Sequence, residues 1–409
     1  MNEDSSTPLA TIRFFNVGQG DSILIELRNG QIILVDSNIS RTGWSVEPPA
    51  LDALRERFRA GSGANLDLLC LTHPDRDHYR GLDRIIDWVR ENNGVIRRYI
   101  TSVLPDTKEI EAKVVALRQA LQNESLKIYR RNRNRGYQVY ASHAEYMEVL
   151  SRLAFAIRSA DENGLFQTAN GFKEIPGFDA AQVFILGPTT GTVKEHETTM
   201  IDGLIESWTS HADTIPRNSS NSVSCILWLV FPSVSVELML TGDATAESWA
   251  AAIRSYQLNE RSTSGRELNS DIVKAPHHGA ESSSSREIWE QVLKPNGIVL
   301  FSAGGHRGYG HPDPKTLADI RDAHPGAQFF CTNLCPHHLE VVETAREATV
   351  TARAFYDSEA VAGIKPQKPS RSRARAYHGT CTFAVLPNGK IKATTEFTAT
   401  PPFVCDHHA

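Results

Sequence analysis

No stretch of this 409-residue chain is apolar over the roughly 18–20 residues that a membrane-spanning helix needs. The longest apolar run, Cys225 to Val236, covers about twelve residues and is broken by Pro232. A membrane partner is therefore not expected. The opening residues, Met1 to Pro8, are polar and acidic and lack the basic and apolar regions of a secretory leader, so a cytoplasmic location is the expectation. Neither sign of charge is in large excess: the net charge is −5. That excludes attraction of nucleic acid by the surface as a whole, while leaving room for a local basic patch. Cysteine is scarce, with 6 residues scattered along the chain, which suits reduced thiols or a metal site better than a disulfide framework. Hydrophobic content of 40% is that of an ordinary globular protein, long enough for one large domain with insertions or for two.

Apolar patterning fills the two ends of the chain. Thr11 to Val17 alternates and is followed by the turn Gly18-Gln19-Gly20-Asp21-Ser22. Ile23 to Leu27 and Gln31 to Val35 read as strands joined at Asn29-Gly30, a strong hairpin signal. After Asn218 the chain is again strand-rich, with Ser224 to Phe231, Val236 to Leu240, Asp271 to Ala275, Gly297 to Ser302 and Gln328 to Thr332 alternating with helical segments. Residues of about 95–215 differ in character. Ile110 to Leu121 and Ala144 to Ala160 have helical patterning, which suggests an insertion or lid and a surface for a protein partner. Residues 357–376 read as an exposed basic loop, and Tyr377 to Thr398 as a hairpin turning at Asn388-Gly389.

The chemistry concentrates in Thr72-His73-Pro74-Asp75-Arg76-Asp77-His78. Four of these seven residues are metal-ligand types, and so dense a group of carboxylates and imidazoles repels or desolvates unless something neutralises it. The run before it, Leu66 to Leu71, is short and apolar like a buried strand, and Leu82, Ile85, Ile86 and Val89 after it have helical spacing. The group therefore lies on a turn at the end of a sheet, where α/β proteins place their sites. Asp243, His277-His278 and His311 also end predicted strands. Convergence of such ends is what a pair of divalent cations sharing one carboxylate requires, and Gly242 lets Asp243 approach closely.

These motifs resemble the metallo-β-lactamase superfamily and, within it, the soluble nuclease-like domain of ComEC competence proteins. The resemblance rests on Val17 to Ser22, Leu34-Val35-Asp36, Leu71 to His78 with Gly81-Leu82, Asn221 to Ser224, Leu240 to Asp243, Lys274 to Gly279 and Tyr309 to Pro312, in the family's order across residues 11–335. It implies an αβ/βα four-layer sandwich with an inserted helical lid, residues 1–335 forming the catalytic domain and 336–409 an extension. It implies two divalent ions, zinc or manganese: His73, Asp75 and Asp243 on one, Asp77, His78, Asp243 and His277 on the other. A bridging water made acidic by the cations would attack a phosphodiester, with Asp77 orienting it. His278, Lys274 and His311 would face the substrate or leaving group, Asp36 would buttress a ligand, and Asn221, Ser224 and Tyr309 would line the site. The sequence departs from the wider pattern at Asp75, where a second histidine is usual, at Asn221, where a histidine is usual, and at Asn16, where aspartate is common. The first two changes substitute oxygen for nitrogen and favour harder ions. The membrane channel of competence proteins is missing, so DNA uptake is not implied.

Each feature has a plainer reading. Asp243 could simply cap a helix, and one histidine of the adjacent pair could only pack. Arg130 to Arg135, flanked by Tyr129 and Tyr137, has the cationic and aromatic interleaving of a nucleic-acid groove, but such runs are also common in solvated loops. Cys331, Cys335 and His338 with Cys381 allow an additional structural zinc, against reduced thiols in the core. The expected function is a metal-dependent phosphodiesterase or nuclease with nucleic acid as its substrate. The alternatives are hydrolysis of a lactone, lactam or thioester, and a metal-stabilised binding subunit of a larger complex.

Overall fold

Strand β4 (Leu68–Leu71) is apolar at every position because both of its faces are covered, and this holds for much of the molecule. In a computed structural model, residues 7–39, 47–58, 63–73, 75–102, 165–168, 171–195, 220–259, 261, 265–303, 311–332 and 379–397 are described. They form two mixed sheets. The first orders β15 (Ile391–Phe397), β14 (Gly379–Val385), β1 (Ala10–Phe14), β2 (Ile23–Leu27), β3 (Ile32–Val35), β4, β5 (Arg98–Thr101) and β6 (Leu165–Thr168). The second orders β13 (Gln328–Cys331), β12 (Leu293–Phe301), β11 (Ser270–Lys274), β10 (Val236–Leu240), β9 (Ile226–Phe231), β8 (Gln182–Gly187) and β7 (Lys173–Ile175). In each sheet an antiparallel part passes into a parallel part, at β3–β4 in the first and at β10–β11 in the second.

The period-2 alternation of the strands assigns their side chains to layers. Ile12, Phe14, Ile25, Ile33, Leu227, Leu229, Leu238 and Ile272 meet between the sheets. On the outer face of the first sheet, Leu24, Leu34 and Leu69 pack under α1 (Pro49–Arg57) and α2 (Leu82–Glu91), which offer Leu51, Leu54, Leu82, Ile85, Ile86 and Val89. On the outer face of the second, Trp228, Met239, Val273 and Phe301 pack under three helices. These are α3 (Ala246–Asn259), α4 (Arg286–Val292) and α5 (Pro314–Ala323). Trp249 and Trp289 meet edge to face at 5.3 Å between the first two of these helices. The layers are thus helix, sheet, sheet, helix, a four-layer α/β sandwich. Among the described residues no helix is long and apolar enough to cross a membrane.

Two boundaries differ from the sequence-based expectation. Residues 95–215 are not wholly an insertion: β5, β6, β7 and β8 fall inside that range and extend both sheets. Val183 to Leu186 in β8 reads as a strand from its apolar run, but the signals of β5, β6 and β7 are weak because those strands are short, and β7 buries only Ile175. The segments expected as helices, 110–121 and 144–160, and the arginine run 130–135 lie outside the described residues. The C-terminal hairpin forms as its turn sequence predicts, yet it is not an appendage. β14 pairs antiparallel with the whole length of β1, from Ala10↔Val385 to Phe14↔Cys381, and Phe383 packs on Phe14 at 5.8 Å. It thereby covers a strand edge and completes the inner core.

Candidate metal centre

The parallel strands of both sheets end at one place, and there the chain turns sharply. After β3, Asp36 adopts a left-handed conformation with φ 57°, which turns its carboxylate towards the end of β4. Its Oδ1 accepts from the Thr72 backbone N–H at 2.7 Å and its Oδ2 from the Thr72 hydroxyl at 2.6 Å. That Oδ2 also accepts from His78 Nδ1 at 2.7 Å. Because the Thr72 hydroxyl donates to Asp36, its oxygen accepts from His73 Nδ1 at 3.1 Å. His278 Nδ1 donates to the Ser302 carbonyl at 2.6 Å. All three rings are thereby fixed through Nδ1, the outer hydrogen bond that orients a ligand imidazole, and all present Nε2 inward.

Those three Nε2 atoms are buried and have no hydrogen-bond partner among the described residues. His78 Nε2 lies 3.4 Å and His278 Nε2 3.3 Å from Asp243 Oδ2. His278 Nε2 is also 3.6 Å from Asp77 Oδ2, and His73 Nε2 is 3.6 Å from Asp75 Oδ2. Ligand atoms of His73, His78 and Asp243 lie within 4.8 Å of one another, as do those of Asp77, His78 and His278. Buried imidazole nitrogens aimed at carboxylates, with no proton donor between them, fit divalent cations. Asp75 also accepts a hydrogen bond from the Ser220 hydroxyl.

Without metal, protons take the place of the cations. Burial would by itself lower the pKa of His78, but Asp243 and Asp36 outweigh it and raise that pKa well above its ordinary value. Burial is likewise outweighed at His278, where Asp243 and Asp77 raise the pKa to about 9. Conversely, burial would raise the carboxylates, but the facing imidazole of His278 and the charge of His78 bring Asp77 to about 2, and His278, His78 and Lys274 hold Asp243 well below its ordinary range. The stabilising contribution of protonated His278 in the metal-free protein is complete below about pH 6.5 and is lost as pH rises through 9. Metal must displace that proton. Its apparent affinity is therefore expected to rise with pH up to about 9, by as much as tenfold per unit per proton displaced. Calorimetric titration near neutral pH, in buffers of different ionisation enthalpy, reads this directly. Uptake with no proton release would contradict it.

His277 and His278 follow β11 in consecutive left-handed conformations, φ 44° and 58°, before Gly279. Such conformations cost about 1–3 kcal/mol each and persist where the surroundings over-determine them. The turn sends the two rings to different places. His278, expected to face substrate, joins Asp77, His78 and Asp243. His277, expected to be a ligand, has Asn221 Nδ2 at 3.3 Å from its Nδ1 and the His311 ring at 5.8 Å. Burial, with the charge of His278 next, lowers the pKa of His311 to about 4, so its ring is neutral at pH 7. Ser224 is buried and its hydroxyl accepts from the Asp243 backbone N–H at 3.1 Å. Tyr309 lies outside the described residues.

Lys274, expected at the substrate, is 0% exposed beneath Asp243. Asp21, to which the motif alone assigns no role, stands 2.5 Å from the Lys274 ammonium and 3.9 Å from His78 Nδ1. Its signal was the Gly20-Asp21 step. A Cβ on Gly20, where φ is 126°, would collide with the Asp77 carbonyl, so the loop bearing Asp21 is pressed onto the loop bearing Asp77. Gly242 is similar, with φ 53° and a Cβ position 2.8 Å from Thr72 Cβ. Gly242→Ala is expected to destabilise the protein by about 1–3 kcal/mol, read by urea unfolding.

The second metal reading fares differently. Cys331 and Cys381 are buried free thiols, but they lie on β13 and β14, strands of opposite sheets and not neighbours, because β13 pairs with β12 and β14 with β1. The Cys381 thiol contacts the Cys331 carbonyl at 3.6 Å. Cys335 and His338 lie outside the described residues.

Residues 15–202 match the family model described as Metallo-beta-lactamase superfamily. No curated protein matches the chain. Among solved structures the chain is similar to a mutant of CmlA beta-hydroxylase, with 13% identity, TM-score 0.36, and coverage of 79% of this chain and 53% of that one. It is similar to a diphosphatase from the PhnP family, with 13% identity, TM-score 0.33, and coverage of 78% and 94%. It is also similar to a long form RNase Z from yeast, with 11% identity, TM-score 0.37, and coverage of 81% and 42%. The chain thus spans about half the length of the first of these proteins and less than half of the last.

Proposed function

We propose that this chain is a metal-dependent hydrolase of the metallo-β-lactamase superfamily, and that it cleaves phosphodiester bonds in nucleic acid. The observation that carries the hydrolase reading is a cluster of three buried Nε2 atoms, otherwise unpartnered, that face carboxylates: those of His78 and His278 face Asp243, His278 also faces Asp77, and His73 faces Asp75. The family-model match over residues 15–202 supports it. In this reading His73, Asp75 and Asp243 hold one divalent ion, and Asp77, His78, Asp243 and His278 hold another. This exchanges the parts first expected of His277 and His278. When bound, such ions supply Lewis acidity and a water acidic enough to attack near neutral pH.

The protein's own contribution is orientation. Asp36, Thr72 and Ser302 lock the three rings, and Ser224 restrains the backbone at Asp243. His311 and His277, neutral and beside each other, are placed to hydrogen-bond a substrate oxygen. Asp75 favours the phosphodiester over a lactam or thioester: an oxygen donor where imidazole is usual selects harder cations, which bind phosphate oxygens well. The arginine run 130–135 supports nucleic acid as partner. A cytoplasmic location belongs to the same reading.

The test is a substrate panel on protein reconstituted with manganese or with zinc. It comprises single- and double-stranded DNA, RNA, bis(p-nitrophenyl) phosphate, a lactone, a lactam and a thioester. Cleavage of the phosphodiesters is expected. Fully metal-loaded protein that cleaves none of them would refute the proposal, and turnover of the lactone or thioester alone would establish the rival chemistry.

A further inference from the structure

A fully buried ammonium is stable only where anions and carbonyls replace its water. Lys274, the last residue of β11, meets that condition with two hydrogen-bond acceptors and an ion-pair partner. Nζ donates to the Gly242 carbonyl at 2.7 Å and to Asp243 Oδ1 at 3.4 Å, and it is paired with Asp21 Oδ2 at 2.5 Å. β10 and β11 run parallel with Leu240 opposite Lys274, so the lysine rises directly beside the turn that carries Asp243. The two oxygens of Asp243 are divided between two environments. Oδ1 faces the lysine, while Oδ2 faces His78 Nε2 and His278 Nε2 at 3.4 and 3.3 Å.

We propose that Lys274 is a positioning residue: it tethers Asp243 through Oδ1 so that Oδ2 alone is presented to the metal ligands' side of the site. The simpler account is that Lys274 only neutralises Asp21. The two accounts separate because Asp21 can be neutralised independently. The tether also sets the charge. Without an internal cation, Asp243 would bring its full charge to ions already faced by Asp75 and Asp77, and would be free to offer both oxygens at once. This inference rests on the metal reading of the site but not on the identity of the bond cleaved.

The experiment compares wild type, Lys274→Met, and the double variant Lys274→Met/Asp21→Asn, each reconstituted with Co²⁺. The double variant removes an ion pair as a unit, so it remains informative if the single variant fails to fold. The readouts are the visible absorption of bound Co²⁺, which reports ligand geometry, and kcat and KM on bis(p-nitrophenyl) phosphate. For both variants a shifted Co²⁺ spectrum is expected, with kcat lowered about 10–100-fold, as for other residues that orient ligands, and KM changed less than about threefold. A double variant with the wild-type spectrum and rate would overturn the proposal and leave Lys274 as the counterion of Asp21. Failure of the wild type to take up Co²⁺ would overturn the metal reading as well. Failure of the wild type to hydrolyse the ester would count only against the proposed function, since the spectrum still decides the tether.

Discussion

Asp243→Ala is expected to lower phosphodiester turnover on the order of 10³-fold, or about 4 kcal/mol of transition-state stabilisation, while the protein stays folded. The size of the loss follows from position: Asp243 faces the rings of both His78 and His278 and the ammonium of Lys274. In the proposed function it is the ligand common to both ions. Survival of the fold follows from titration. The raised pKa values of His78 and His278 depend in large part on Asp243, so without it burial works against the charged form of both rings. Lys274 keeps Asp21 as its partner. Turnover, metal content and circular dichroism on the same preparation check the three parts. A variant within tenfold of wild-type turnover would remove Asp243 from the chemistry.

Chelation should produce the second large effect. Five carboxylates, those of Asp21, Asp36, Asp75, Asp77 and Asp243, surround the three ligand imidazoles, and Lys274 balances only one of them. An ion present at about a thousand times its dissociation constant adds about 4 kcal/mol to folding stability. For a chain of this length that amounts to about 5 °C in Tm per ion, so stripping two ions should lower Tm by about 10 °C. Thermal melts of metal-loaded protein, with chelator and after readdition of metal, read the effect. A Tm indifferent to both would mean that no ion contributes to the folded state.

Much of this was legible before the structure. The apolar run before Thr72 and the turns at Asn29-Gly30 and Asn388-Gly389 gave strands and hairpins where they occur, with Gly30 and Gly389 at φ 90° and 77°. Ligand types at strand ends gave the convergence. The pair His277-His278 shows where such reading stops. Adjacent residues are chemically identical in sequence, and only the left-handed turn decides which ring enters the cluster. Lys274 stops it for another reason. A lysine closing the strand Ser270 to Lys274 reads as a solvent-seeking end, but this strand ends against carboxylates supplied by Gly20-Asp21 and Gly242-Asp243, far away in sequence. β5 to β7 were obscured because short strands carry little pattern of their own and are specified by the sheets they join.

The pairing of β14 with β1 bears on how the molecule comes into being. Ala10 is among the first residues of the sheet to leave the ribosome and Val385, its partner, among the last. Until then the Ala10–Phe14 backbone is an open edge beside an unfinished core, the kind of surface that recruits foreign strands. Closure of the inner layer is therefore a late event set by the slowest, longest loop in the topology. A nascent chain halted before residue 379 should expose the inner face of that edge to chaperones or to aggregation, whatever the state of the metal-binding turns at the far ends of the strands.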